Sequence, residues 1–248
     1  MDLIELPAAD GTAEALLARP ATGSGPGVLL FMDAIGLRPR IQEMGERIAG
    51  WGYVVLAPNV LYRDGTVAEI APRRDLREPG AREEFFAEAM PRVHGLTSDL
   101  AVPDIAAYVQ TLRGLSGMAE GPIGTVGYCM GARLALRAAT SHPAVVAACA
   151  GFHGGGLVTD EPDSPHAGLG SARAELVFGH ADQDPSMPPE AVDALGEALL
   201  AHGLTASNEV YPGAPHGYTM SDTSAYDEAA TERHFTELQA LLARALPT

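Results

Sequence analysis

The sequence predicts an α/β fold with a mostly parallel central sheet and helices on both faces. Strand-like and helix-like segments alternate from residue 28 onward, as expected when helical crossovers connect parallel strands. Residues 28–32 and 123–126 are short, continuous apolar runs, which are typical of strands buried on both faces. No linker, repeat or low-complexity tract divides the chain, so we expect residues 1–248 to form one domain.

The N-terminal part carries signals for a hairpin, two further strands and a helix. Alternating segments flank Asp10-Gly11, a turn dipeptide, so the two segments are expected to pair. Apolar residues then recur at helical spacing until Gly50-Trp51-Gly52, where glycines end the helix. The expected elements are strands at 3–6, 13–18, 28–32 and 53–56 and a helix at 41–48. The charged stretch 62–93 shows no apolar periodicity, and we expect it to be irregular.

The remainder of the chain repeats the alternation of strands and helices. In segment 98–113 the apolar residues fall on one helical face, and the later strands are short apolar runs bounded by glycine, proline or charged residues. The expected strands are 123–126, 144–150, 175–178 and 207–211, and the expected helices are 98–113, 132–139, 189–202 and 224–245.

Composition excludes several classes of function. A formal net charge of −16 argues against a nucleic-acid partner. All 16 basic residues are Arg, so the chain has no lysine for a Schiff base or a Walker-type phosphate site. Cys129 and Cys149 are too few for a disulfide framework and indicate a reducing compartment. Residues 1–10 lack the features of a signal peptide, and no apolar run could span a bilayer, so we expect a cytoplasmic protein without a membrane partner.

The sequence also lacks the patterns of metal sites and coiled coils. Neither H-E-x-x-H nor paired C-x-x-C occurs, so we expect no metal and no other cofactor. An acidic chain without sustained heptads indicates a monomer or a weak dimer.

Gly127-Tyr128-Cys129-Met130-Gly131 has the pattern of a nucleophile elbow. It lies between an apolar run that predicts a buried strand and an amphipathic run that predicts a helix. Such a turn strains the backbone around the nucleophile and brings strand and helix close together, and both effects favour flanking glycines. The nucleophile position holds Cys129, so we expect a thiolate to attack a carbonyl carbon.

Three further candidate residues follow predicted strands. Asp33, Asp184 and His216 stand, like Cys129, just after strands whose carboxyl ends should share one edge of the sheet. Nucleophile, acid and histidine in this order match the triad of α/β-hydrolases. In such a triad the histidine exchanges protons and the carboxylate orients it. The backbone N–H groups of Met130 and Ala34 are the expected oxyanion donors.

Some of these assignments have alternatives. Asp182 competes with Asp184 for the acid role, and either could instead cap a turn; spacing before the next helix favours Asp184. Cys149 lies within a predicted strand and is expected to be a core residue. His153 and His180, on loops after strands, are expected to be structural or to line the pocket.

These motifs resemble those of the dienelactone hydrolase family, the carboxymethylenebutenolidases. The resemblance extends from Val28 to the end of the chain and includes G-Y-C-x-G at Cys129, an Asp followed four residues later by Pro at Asp184, and Gly/Ala-x-His at His216. It implies an α/β-hydrolase fold and hydrolysis of a lactone or ester through a thiol acyl-enzyme. It also implies that Asp33, where the best-known members have Glu, helps to take the thiol proton.

Two positions relate to the substrate of this family. The resemblance places a carboxylate-binding Arg four residues after the histidine, where this chain has Met220, and it implies Arg82 as the other carboxylate-binding residue. Asp33, at the position where the best-known members have Glu, has a side chain that is one methylene shorter.

Taken together, these motifs predict a cysteine-dependent hydrolase acting on a small ester or lactone. A non-catalytic α/β-hydrolase scaffold that binds a small ligand is the alternative, and a thiol-redox role is disfavoured because no C-x-x-C motif occurs.

Overall fold

An eight-stranded sheet organises residues 1–246, the part of the chain that the computed structural model describes. Its strand order is β1-β2-β4-β3-β5-β6-β7-β8. The strands are β1 (Asp2–Ala8), β2 (Gly11–Ala18), β3 (Gly27–Phe31), β4 (Val54–Pro58), β5 (Ile123–Tyr128), β6 (Val146–Phe152), β7 (Glu175–Ala181) and β8 (Ala206–Tyr211). The first two form the predicted hairpin, and β2 runs antiparallel to β4; all pairs from β4 through β8 are parallel.

Helices cover both faces of this sheet. Within the described residues they are α1 (Pro39–Ala49), α2 (Val67–Ile70), α3 (Ala81–Gly95), α4 (Ser98–Gly114), α5 (Met130–Ser141), α6 (Pro189–Ala201) and α7 (Glu228–Ala245), with a 3₁₀ helix at Pro165–Ser171. On β5, the Thr125 hydroxyl donates to Ala135 O of α5 at 3.2 Å, whereas a Cβ at Gly124 would lie 2.9 Å from Leu242 of α7. Because successive strand residues point to opposite faces, α5 and α7 lie on opposite sides of the sheet. The predicted fold class is confirmed.

The stretch 62–93 differs from the prediction. It contains α2 and residues 81–93 of α3, so the prediction that this stretch is irregular was wrong. Only Ala81, Ala89 and Val93 of α3 are fully buried, and Pro91 lies inside the helix. A helix with so few buried positions leaves almost no apolar periodicity in the sequence. None of the helices in residues 1–246 has the length and apolar character needed to cross a membrane.

Helix α7 begins later than predicted, at residue 228 instead of 224. The Asp227 side chain accepts a hydrogen bond from Ala230 N–H at 2.8 Å, which caps the helix there. The preceding segment belongs to a long loop between β8 and α7, and this loop carries His216.

Candidate active site

Cys129 occupies a strained turn between β5 and α5. Its φ of 54° and ψ of −118° lie outside the regions that L-residues ordinarily adopt. A Cβ at Gly127 would lie 2.0 Å from Gly131 O, and a Cβ at Gly131 would lie 2.3 Å from Phe31 O. Because backbone atoms occupy these positions, both glycines of the predicted elbow are required for strand, turn and helix to pack.

His216 is hydrogen bonded to Asp184. Its Nδ1 lies 2.6 Å from Asp184 Oδ2, and the other carboxylate oxygen accepts from Ser186 N–H at 2.9 Å and Ser186 Oγ at 2.7 Å. Burial raises the pKa of Asp184, but the hydrogen bonds and charge of His216 and the bonds from Ser186 outweigh burial and lower it. Asp182 instead accepts from Gly213 N–H at 2.8 Å, so the structure pairs Asp184 and not Asp182 with the histidine.

The imidazole of His216 also interacts with Cys129. Burial by itself lowers the pKa of His216, but the charge of Cys129 and hydrogen bonds to Asp184 and Cys129 raise it to about 10. A histidine with this pKa carries a proton at neutral pH, so His216 can act as a proton donor beside Cys129.

Cys129 and His216 line one cavity beyond the carboxyl ends of the parallel strands. The same cavity is bordered by Arg82 and Phe86 of α3, which sequence periodicity did not reveal as a helix. Its other lining residues are Asp33, Ile35, His153, Gly217, Met220 and Thr223. The structure thus brings the predicted residues Asp33, Arg82 and Met220 to the cavity that contains Cys129.

Two backbone N–H groups near Cys129 are free to donate. Met130 is the first residue of α5, and Ala34 lies in the turn after β3, against which the start of α5 packs through Gly131. Within residues 1–246 neither N–H has a hydrogen-bond acceptor. These are the two groups that the sequence predicts as oxyanion donors.

Asp33 is engaged in a bidentate ion pair. Its Oδ1 lies 2.6 Å from Arg38 Nη1 and its Oδ2 lies 3.0 Å from Arg38 Nη2, and both side chains are buried. Oδ1 also accepts from Ile35 N–H at 3.1 Å. Both carboxylate oxygens are therefore occupied by donors other than Cys129. No motif in the sequence indicated Arg38, because an Arg five residues beyond an Asp carries no recognisable signal.

His153 is a buried neutral imidazole beside the catalytic candidate His216. The two ring centroids are 5.4 Å apart, and His153 Nε2 lies 2.7 Å from Thr219 Oγ1. Burial, together with the charge of His216, holds the pKa of His153 well below its ordinary value. Its φ of 38° makes it a second strained residue at a strand end. Cys149, by contrast, is fully buried in β6, and burial raises the pKa of its thiol to about 12.

The part of the chain described here contains no group of three or more His, Cys, Asp or Glu side chains suited to holding a metal ion.

Comparison with known proteins identifies the family. The model of the dienelactone hydrolase family matches residues 13–246. The chain belongs to this family. The protein is accordingly a hydrolase of the kind that acts on carboxylic ester or lactone bonds.

Individual dienelactone hydrolase relatives are distant. A Methylorubrum extorquens protein, provisionally named a carboxymethylenebutenolidase, is 26% identical over 241 residues, which cover 95% of this chain and 78% of its own. Carboxymethylenebutenolidase 1 of Cupriavidus pinatubonensis is 26% identical over 222 residues, covering 89% of this chain and 87% of its own. A Klebsiella pneumoniae structure, provisionally named a dienelactone hydrolase, superposes with a TM-score of 0.79 at 22% identity and covers 98% of both chains. That last similarity concerns the fold alone.

Proposed function

We propose that this dienelactone hydrolase family member hydrolyses a small ester or lactone through a thioester on Cys129. The observation that carries the proposal is the common cavity of Cys129 and His216, with Asp184 bonded to the far side of the imidazole. Nucleophile, proton carrier and orienting carboxylate are the three parts that acyl transfer by a thiol requires.

Acylation would begin with the Cys129 thiolate and the His216 imidazolium. The sulfur attacks the carbonyl carbon, and the carbonyl oxygen takes up negative charge facing the N–H groups of Met130 and Ala34. When the tetrahedral intermediate collapses, the carbon–oxygen bond to the leaving group breaks. The imidazolium donates its proton to the departing alkoxide, so the alcohol leaves neutral and His216 becomes neutral.

Deacylation would use the neutral His216 as a base. It accepts a proton from a water molecule, whose oxygen attacks the thioester carbon. The carbon–sulfur bond then breaks, which releases the carboxylic acid and restores the thiolate beside a protonated His216. Throughout the cycle the carboxylate of Asp184 holds Nδ1–H, so that Nε2 remains directed toward the reacting atoms.

Proton transfer is assigned to His216 in preference to Asp33. A role for Asp33 as acceptor of the Cys129 proton would require its carboxylate to leave a buried bidentate pair with Arg38. Breaking a buried ion pair leaves two unpaired charges, a cost of about 3–5 kcal/mol. His216 needs no such rearrangement.

The cavity wall favours an acyl group with one anionic and one apolar side. Arg82 stacks on Phe86, with its Cζ 4.9 Å from the ring centroid, and within residues 1–246 it has no carboxylate partner. Met220 contributes an apolar wall where the family has a second Arg. We propose that Arg82 pairs with a carboxylate of the substrate and that Met220 contacts its apolar part.

The two cysteines provide a matched test. Cys129→Ala and Cys149→Ala each remove one thiol, and the second lies in the core of β6. Hydrolysis of p-nitrophenyl acetate and of a panel of small lactones should be lost in Cys129→Ala and retained in Cys149→Ala, with one acetyl group per chain trapped on wild-type protein. Equal activity in both variants would refute the proposal. A wild-type protein that binds these compounds without turnover would favour the ligand-binding scaffold.

A further inference from the structure

The guanidinium of Arg38 connects two loops that both line the Cys129 cavity. One loop is the turn at residues 33–36 after β3, which carries the free N–H of Ala34. The other is the loop at residues 216–223 after β8, which begins with His216. Arg38 itself directly precedes Pro39, the first residue of α1, so its backbone is anchored to a helix.

Arg38 holds the first loop at both ends. Nη1 donates to Asp33 Oδ1 at 2.6 Å and to Gly36 O at 2.9 Å, and Nη2 donates to Asp33 Oδ2 at 3.0 Å. Inside the turn, Ile35 N–H bonds to Asp33 Oδ1 and Gly36 N–H bonds to Asp33 O. Of the three N–H groups at 34–36, only that of Ala34 lacks an acceptor within the described chain, and it is thereby left for a ligand.

Arg38 also contacts the second loop. Its Nη2 lies 3.1 Å from Met220 Sδ, and its Nε and Nη2 donate to the Asp222 carboxylate at 2.5 Å and 3.3 Å. Asp222 follows His216 by six residues. One side chain therefore bridges the turn that carries an oxyanion donor and the loop that carries the proton carrier.

Burial makes this bridge rigid. The side chains of Arg38 and Asp33 are 7% and 5% exposed, so neither can exchange its partner for water at low cost. A guanidinium is planar and donates in fixed directions, and a bidentate pair consequently sets orientation as well as distance. An oxyanion donor must be positioned before reaction, because displacement by about 1 Å can cost 100-fold in rate.

We propose that Arg38 is a positioning residue that fixes the N–H of Ala34 as an oxyanion donor. This inference rests on the proposed acyl-transfer function. It predicts a specific separation of effects, because an oxyanion hole serves reactions that form a tetrahedral intermediate and does not serve direct alkylation of sulfur. Removing the Arg38 contacts should slow acylation of Cys129 by an ester and should leave its alkylation unchanged.

The test compares Arg38→Lys and Arg38→Gln with Arg47→Gln. Arg47 lies on α1, the helix that Arg38 directly precedes, and forms an equally bidentate pair, with Glu232 at 2.7 and 2.6 Å, but it contacts neither loop. The burst of p-nitrophenol from p-nitrophenyl acetate reports acylation, and the rate of reaction with iodoacetamide across pH reports the thiolate. Both Arg38 variants should acylate about 100-fold more slowly, as expected for loss of one oxyanion donor. Their alkylation rates and pH profiles should match those of wild type and Arg47→Gln.

Three results would overturn the proposal: unchanged acylation in the Arg38 variants, an equal fall in acylation and alkylation, or a fall of the same size in Arg47→Gln. If neither Arg38 variant folds by circular dichroism, Asp222→Asn weakens the bridge at its more exposed end; unchanged acylation there also overturns it. Absence of any burst from wild-type protein would refute the proposed function itself. The two failures are therefore distinguishable.

Discussion

The Nδ1 of His216 lies 2.6 Å from Oδ2 of Asp184, whereas Asp182, two residues earlier on the same loop, bonds to the N–H of Gly213. The two aspartates therefore have different hydrogen-bond partners despite their proximity in sequence. Asp184 orients the imidazole, and Asp182 stabilises the start of the loop after β8.

Substitution of these two aspartates should separate catalysis from loop structure. Asp184→Asn removes the charge that stabilises protonated His216, so kcat for ester hydrolysis should fall roughly 10²–10⁴-fold, the range of a general acid–base contribution. Asp182→Asn should retain most of the wild-type rate. Steady-state kinetics on p-nitrophenyl esters measure both, and a larger loss in Asp182→Asn would contradict the assignment.

The protonation of His216 should depend on Cys129. The charge of Cys129 is the largest influence that raises the pKa of His216 to about 10. In Cys129→Ala that influence is gone, and the pKa of His216 should fall, while Cys149→Ala should leave it unchanged. Titration of the imidazole C–H signals by NMR gives the values. An unaltered pKa in Cys129→Ala would mean that the two side chains are not paired.

The raised pKa of His216 also predicts how stability depends on pH. In the unfolded chain the pKa is about 6.5, so the stabilisation from protonated His216 is complete below that pH and is lost as pH rises toward about 10. The free energy of unfolding should therefore fall more steeply between these values in wild type than in His216→Gln. Urea unfolding followed by Trp51 fluorescence measures it. Because burial raises the pKa of Cys149, its ionisation in the unfolded chain also lowers stability at high pH, but both proteins contain this residue. Parallel curves of unfolding free energy against pH for the two proteins would contradict the prediction.

The elbow should not tolerate a side chain at Gly131. In Gly131→Ala the new Cβ would lie 2.3 Å from Phe31 O, a backbone atom that cannot move without disturbing β3. We expect a loss of about 1–3 kcal/mol or more in stability. Gly114→Ala is the control, because nothing lies within 4 Å of that Cβ and alanine favours the helix. Thermal unfolding of both variants decides the matter, and similar melting temperatures would show that the elbow can relax.

Arg82 should affect charged substrates selectively. Arg82→Gln removes the guanidinium from the cavity wall, so kcat/KM for an ester that carries a carboxylate should fall about 10-fold or more, the value of a charge-assisted hydrogen bond. The matching neutral ester should be hydrolysed at nearly the wild-type rate. Arg77→Gln, which removes an exposed Arg paired with Asp75, serves as the control. An equal fall for both esters would exclude Arg82 as a carboxylate-binding residue.

Local patterns in the sequence were sufficient to predict which strand ends carry the reactive residues. Buried parallel strands are continuous apolar runs, and an elbow needs glycines at Gly127 and Gly131 because backbone atoms occupy the space of their side chains. The predicted α/β fold with a mostly parallel sheet, the positions of Cys129 and His216 after strands, and the choice of Asp184 over Asp182 all follow from such short-range signals. These features depend on residues within a few positions of one another.

Only the tertiary structure decided how the side chains around the elbow are paired. Helix α3 buries too few residues to leave a periodic signal, yet its packing brings Arg82 and Phe86 to the cavity. The pairing of Asp33 with Arg38, and of Arg38 with Asp222, joins loops that are 184 residues apart. The sequence alone therefore determined which reactive groups the chain carries and the strand ends at which they stand. The contacts that place Cys129 and His216 in one cavity and pair Asp33 with Arg38 arise from the conformations of distant loops, which short-range patterns do not specify.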